Sequence, residues 1–352
     1  MYNIKFNPVR ESCRQVAGLC RNVRINQTKL KEFSERLRSE PIMHWTFQSP
    51  VQLSGLSDRE MITLLFVFNA ISFNSWGTPK WKVEYHGVEG ERGTWSMLLA
   101  IKRATNKGKE VTDQIKKFNF PVTATFEGAF EGWDANRSIE NGYSSHILDP
   151  YFLAAIKPEQ LGKILKGKDG AEIPLLDERT KILNMLGRRI ISECNGDLGN
   201  IIDVSGRDVM SFVHLVLQTF PFFHDQALFR TVQVFFHKKI QLLAADLNNT
   251  FNMFDNMEML TGCADYILPM VLRYFGVLEY SRELAGKVDS GIEIPKDHLD
   301  ELEIRICTIE AIELLRKLIP EINSMQINDI LWLMKSQLPN KMQHHLVRRI
   351  EY

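Results

Sequence analysis

Between Phe222 and Leu247 the chain reads FFHDQALFRTVQVFFHKKIQLLAADL, an apolar run that nevertheless carries Asp225, Lys238, Lys239 and Asp246. An unpaired charge moved into an apolar interior is so costly that it is paired, solvated, neutralised or put to chemical use. Laid on a helix from about Val232, the run groups Val232, Phe235, Phe236, Ile240 and Leu243 on one broad side, with Lys239 and Asp246 inside it. Those two suit a buried ion pair. Lys238 and Gln241 project elsewhere, with His237 nearby, as a polar strip suited to a cavity wall or to a lysine that reaches out to water.

Two acids stand where apolar segments begin: Asp225 after TFPFF, and Asp265 in TGCADYILPMVL. Each has a plain use as a helix N-cap. Each also sits among aromatic residues, where desolvation can tune a general base. Ser205, Gly206 and Arg207, in VSGRDVMSF, read as a helix start, which serves either as a simple cap or as a phosphate cradle of backbone N–H groups. Phe73, Trp76, Trp95 and Tyr266 offer faces that would stack on a nucleobase or fill a core. The sequence has no HExxH, P-loop or GxSxG, and its nine histidines do not repeat at a metal-ligand spacing.

The elements that must position these residues are mostly helical. Ser57 to Glu60 forms a capping box ahead of a helix that is apolar on nearly every side, and Thr28 to Pro41 reads as a charged surface helix. From YFLAAIKPEQLGKILKG onward, helical patterns follow one another to the C-terminal region. Between residues 78 and 150 the pattern is mixed, with a short hairpin in PKWKVEYHGVEGERG, a helix in TWSMLLAIKRAT and a loop in EGWDANRSIENGYSSHILDP. The expectation is a mainly α, compact multi-helix fold over 1–352, with a small mixed or irregular segment near 78–150. A division into lobes 1–150 and 151–352 is the alternative, since no linker composition marks a boundary.

Lys plus Arg and Asp plus Glu each number 43, so no net field draws the chain to a nucleic-acid polymer or an anionic membrane. Five scattered cysteines without a CxxC suit reduced thiols. With no apolar run long enough to span a bilayer, a cytoplasmic protein without an obligate protein partner is expected.

An ordered series of segments then resembles one family. FNSW, GTWSMLLAI, IPLLDERTKIL, FPFFHDQALF, FFHKKIQLLAAD, CADYILPMVLRYFGVLEYS, EIRICTIEAIELL, INDILW and HHLVRRIEY together look like the queuosine salvage proteins. That resemblance implies a helical N-glycosidase that frees the base queuine from queuosine 5′-phosphate, with water as nucleophile and no metal or organic cofactor. Asp225 or Asp265 would face ribose C1′, and Phe73, Trp76 or Tyr266 would hold the base. Lys238, or Ser205 with Arg207, would take the phosphate. Trp95, Ser96, Gln241 and Arg305 complete the expected substrate-binding set, and the partner is a small nucleotide. Two departures stand out. Where the family reads Asn-Phe-x-Phe-Trp, this chain has Ser72, Phe73, Asn74, Ser75 and Trp76, and Lys239 replaces a family arginine. A planar guanidinium fork is thereby exchanged for a point charge. A relative with a different deazapurine preference, a nucleotide-binding protein without turnover and a glycosylase of DNA or tRNA are the competing expectations.

Overall fold

The computed structural model describes residues 6–49, 51, 53–91, 93–118 and 132–352. Fifteen α-helices lie among them, with three two-stranded antiparallel sheets, so the chain is mainly α. It divides into two compact units. One comprises Met1–Gln48, Ser205–Leu217 and Phe223–Tyr352, and the other Ser49–Val204 and Gln218–Phe222.

The first unit is organised on the helix Leu299–Leu318, which is buried along most of its length and against which Pro8–Val16, Gln27–Arg38, Ile267–Tyr274 and Ser324–Met334 pack. Ile306 and Ile309 join Val9, Cys13, Phe229, Val234, Phe236 and Ala264 in one apolar cluster. Ile304, Ala311, Ile312 and Leu315 join a larger one with Leu30, Phe33, Leu268, Val271, Ile327 and Leu331. A helix buried on this scale should be apolar all round. This one carries Asp300, Glu301, Glu303, Arg305 and Glu313 inward, and each is bonded. Glu303 Oε2, for example, accepts the backbone N–H groups of Arg21, Asn22 and Val23 at 2.8, 2.5 and 3.1 Å.

Here the structure corrects the helix expected from Val232. Gln226–Phe229 and Val232–Phe235 are antiparallel strands joined at Arg230, whose φ is 56°, and the helix begins only at Lys238. The reason is legible in hindsight. Ala227, Phe229 and Val234 are buried while Gln226, Leu228 and Gln233 are exposed, a period of two that packs one face of a hairpin. Asp225 therefore precedes a strand and does not start a helix of its own. A second correction concerns Ser205, which ends the helix Gly199–Ser205 and does not open the next one.

The second unit contains the capped helix Asp58–Ile71, where Ser57 and Glu60 form the expected box. Glu84–Tyr85 and Val88–Glu89 make the expected hairpin, and Gly93–Phe118 is one long helix over the TWSMLLAIKRAT segment. Within the segment expected as a loop, EGWDANRSIENGYSSHILDP, the structure instead forms a short helix at Ala135–Glu140, started by the Asp134 side chain, while the first residue of that segment, Glu131, lies outside the described residues. Pro150–Ala155 lies so close to Leu176–Glu193 that a Cβ on Gly187 would stand 2.3 Å from the Ala154 nitrogen. Only glycine fits that crossing.

Candidate active site

Arg305 is the point at which both acid-bearing segments meet. It is fully buried, donates from Nη1 to Asp225 Oδ1 at 2.9 Å and from Nη2 to Oδ2 at 2.5 Å, and reaches the Ala264 carbonyl through Nε at 3.3 Å. Its guanidinium carbon lies over the rings of Phe236 and Tyr352, at 3.8 and 4.5 Å from their centroids. Arg349 Nη2 adds a contact to Asp225 Oδ1 at 3.3 Å, and its other nitrogens reach Glu301 and Glu351. Burial would raise the Asp225 carboxyl, but the charges and hydrogen bonds of Arg305, together with Arg349, outweigh it and hold the group at about 2.

The backbone around Asp225 is equally committed. Its carbonyl accepts the N–H groups of Phe236 and His237, closing the hairpin. Its N–H donates to His237 Nδ1 at 3.3 Å, and burial pushes His237 down to about 4, keeping the ring neutral and that nitrogen an acceptor. Oδ2 also meets the Lys238 N–H at 3.4 Å, the first donor of the following helix. Asp225 thus caps a helix from a distance, which preserves part of the simpler expectation for it.

Asp265 is built differently. It is half-buried, and Oδ1 accepts the N–H groups of Ile267 and Leu268 at 2.8 and 3.0 Å, capping Ile267–Tyr274. Among the described residues no hydrogen bond reaches Oδ2. Tyr266 beside it donates to the Val347 carbonyl at 2.6 Å and packs its ring against His344 and Tyr352, at 5.0 and 4.6 Å.

Lys238 is 8% exposed, and no hydrogen bond or ion pair involves its ammonium among the described residues. Its carbonyl accepts from Cys263 Sγ at 3.6 Å, two residues before Asp265. Burial raises the Cys263 thiol well above its ordinary value. Lys238 lowers it, while Asp265, Asp329 and Asp246 raise it, so all four charges are felt at one sulfur. Asp329 and Asp246 belong to a neighbouring group: Asp246 Oδ1 accepts from Trp45 Nε1 at 2.9 Å and lies 3.2 Å from His44 Nε2.

The remaining expected residues have other surroundings. Gln241 ties the first unit together, accepting from Asn7 Nδ2 and Thr261 N–H and donating to the Phe236 carbonyl. Ser205 is buried at its helix end. The next helix has its N–H groups occupied by Asp208 Oδ2 and Asn256 Oδ1, and Arg207 pairs with Asp255 at the surface. In the second unit, Ser96 Oγ accepts from Val83 N–H and donates to the Gly90 carbonyl, which fastens the hairpin to its helix. Arg179 stacks 4.0 Å from the Phe73 ring centroid and bonds the Phe73 and Asn74 carbonyls, while Trp95 is buried and Trp76 is half-buried.

The comparisons with known proteins agree on one family. The model described as queuosine salvage protein matches residues 133–352. The chain belongs to this family. Named relatives include the queuosine 5′-phosphate N-glycosylase/hydrolase of Sphaerobacter thermophilus, 28% identical over 98% of this chain and 97% of that protein. The mouse protein of the same name is 26% identical over 92% and 89%, and the Dictyostelium discoideum one 31% over 52% and 60%. The matched region of this queuosine salvage family member holds Asp225, Lys238, Gln241, Asp265, Tyr266 and Arg305, and leaves Phe73, Trp76, Trp95 and Ser96 outside it.

Several residues of the site went unassigned in the sequence. Arg349, Glu301 and Tyr352 complete the cage around Asp225, with Tyr352 donating to Glu301 Oε1 at 3.0 Å. The signal was the acids on Leu299–Leu318 taken together with the distant RRIEY, two segments that only the fold brings together. No group of three or more His, Cys, Asp or Glu side chains among the described residues is arranged to hold a metal ion.

Proposed function

We infer that this chain hydrolyses the N-glycosidic bond of queuosine 5′-phosphate, releasing queuine and ribose 5-phosphate. The reading is carried by one contrast: Asp265 keeps a carboxylate oxygen outside its own capping bonds, and a buried lysine whose ammonium has no partner among the described residues shares its surroundings.

Breaking the C1′–N bond leaves positive charge on the sugar and negative charge on the departing base. In this reading Asp265 Oδ2 faces C1′. It stabilises the developing cation and takes a proton from the water whose oxygen bonds to C1′, while the base leaves with its electron pair and is protonated at nitrogen. Queuine is a 7-deazapurine, so protonation at N7 cannot ease its departure, and hydrogen bonds at its pyrimidine edge have to bear the charge. Tyr266 supplies an aromatic face beside the acid. Lys238 receives the 5′-phosphate, which relieves its unpaired burial. Asp225 is assigned to positioning, because its oxygens already serve Arg305, Arg349 and the Lys238 N–H. A free mononucleotide in a reducing cytoplasm fits the balanced charge and the five free thiols.

Incubation with queuosine 5′-phosphate and chromatography of the products is the direct test. Free queuine and ribose 5-phosphate are expected, and binding without base release would leave a nucleotide-binding protein in place of a hydrolase. Ser72 and Ser75, where the family carries an amide and an aromatic, favour one further reading: a shifted preference among deazapurine nucleotides, visible by comparing several of them as substrates.

A further inference from the structure

Buried charges of opposite sign ordinarily collapse onto one another, because leaving either alone is costly. Arg305 and Asp225 obey that rule, but two charged side chains near the turn that leads into Asp265 do not. Lys238, 8% exposed, takes part in no ion pair among the described residues, although the charges of Asp265, Asp329 and Asp246 act on the same Cys263 sulfur as its own. Asp329 is 6% exposed, and among the described residues the one hydrogen bond to its carboxylate is a 3.3 Å contact from the neighbouring Asn328 Nδ2. Asp246 is braced by Trp45 Nε1 and His44, so the local cation is already engaged and Asp329 is left over.

Asp329 is also fixed to the acid-bearing turn. Asn328 Oδ1 accepts the Cys263 N–H at 3.0 Å, which couples Ser324–Met334 to the segment leading into Asp265. An under-paired acid and an unpartnered cation, both buried and both set about that turn, suit a ligand that is itself dipolar: an anion for the lysine and a cation for the acid.

We propose that Asp329, backed by the Asp246–His44 pair, is the subsite that receives a protonated amine carried on the ligand's base, and so selects amine-bearing deazapurine nucleotides. The inference rests on the glycosidase reading for the identity of the ligand, since the 7-substituent of queuine contains a secondary amine. Burial pushes the Asp329 carboxyl up to about 7, against the lowering effect of His44, so an arriving ammonium would displace a proton that the unliganded protein retains.

Equilibrium binding of queuosine 5′-phosphate and of 7-deazaguanosine 5′-monophosphate, which lacks the amine, tests this without requiring turnover. The unaltered protein is expected to bind the amine-bearing nucleotide about tenfold or more tightly, as one charge-assisted hydrogen bond implies. Asp329→Asn is expected to bring the two affinities within about twofold of each other, whereas Asp329→Glu, which keeps the charge, retains most of the preference. Equal affinities in the unaltered protein, or a preference that survives in D329N, would overturn the subsite. So would equal losses in D329N and D329E, which indicate packing. Base release measured alongside separates the two ideas: an intact preference with no release removes the hydrolase, and release with no preference removes the subsite alone.

Discussion

The segments carrying Asp225 and Asp265 both fasten to Arg305, the first through its carboxylate and the second through the Ala264 carbonyl. From that shared anchor they diverge. Asp225 is 2% exposed and spends its oxygens on two guanidinium groups and a helix N–H, whereas Asp265 is half-buried and caps a helix with one oxygen. A carboxylate held far below its ordinary range by two cations is a poor proton acceptor near neutral pH. One that meets solvent and retains an uncommitted oxygen can do chemistry. The same division separates the cations here: Arg305 and Arg349 are ion-paired with carboxylates, whereas the Lys238 ammonium has no such partner among the described residues.

Substitutions that remove charge without changing shape break the comparison most directly. Asp265→Asn keeps an oxygen for the Ile267–Tyr274 cap, so the fold should persist while base release falls by about 10³-fold, or about 4 kcal/mol of transition-state stabilisation. Turnover within tenfold of the unaltered protein would take Asp265 out of the reaction. Asp225→Asn leaves Arg305 in the interior without its carboxylate, while Arg349 keeps Glu301 and Glu351, and should cost about 3 kcal/mol of stability by denaturant titration. Its pH dependence has a definite sign. The folded value of about 2 lies below the ordinary 3.8, so the Asp225 contribution is complete above about pH 4 and lost as the pH falls toward 2. The unaltered protein should lose stability across that window more steeply than D225N.

How much of this could be read from the chain depends on whether the information is local. The capping box at Ser57 and Glu60 declares itself within four residues, and so does the hairpin around His86 and Gly87. Helices of consistent period came through because one face meets the core. The segment from Asp225 to Phe236 did not, since VQVFF satisfies a buried strand as readily as a buried helix at that length, and the partner strand decides. The cage is harder still. Asp225 is paired with residues 80 and 124 positions away, and nothing within the FFHDQ segment announces Arg305 or Arg349. Lys238 stood out for its type and setting, but its lack of a partner among the described residues is a three-dimensional property.

That lack makes Lys238 the next most informative position. Lys238→Met preserves the apolar stem and deletes the charge, so affinity for the nucleotide should fall by about 10- to 100-fold while affinity for the corresponding nucleoside stays nearly level. Because the ammonium has no partner to strand among the described residues, the melting temperature should rise or hold, the opposite of D225N. Equal losses for nucleotide and nucleoside would place the lysine elsewhere in the ligand's surroundings.

The smallest effect separates Lys238 from the other phosphate candidate, the turn from Ser205 to Asp208. Its helix N–H groups are occupied by Asp208 Oδ2 and Asn256 Oδ1, and Arg207 is drawn to Asp255. Asp208→Ala should therefore cost about 1 kcal/mol of stability as an ordinary lost cap and leave KM for the nucleotide unchanged. If the turn instead bound phosphate, deleting a competing carboxylate there would expose N–H donors and lower KM. The direction of the change in KM thus discriminates between a helix start that is already satisfied by its own side chains and one that awaits an anion.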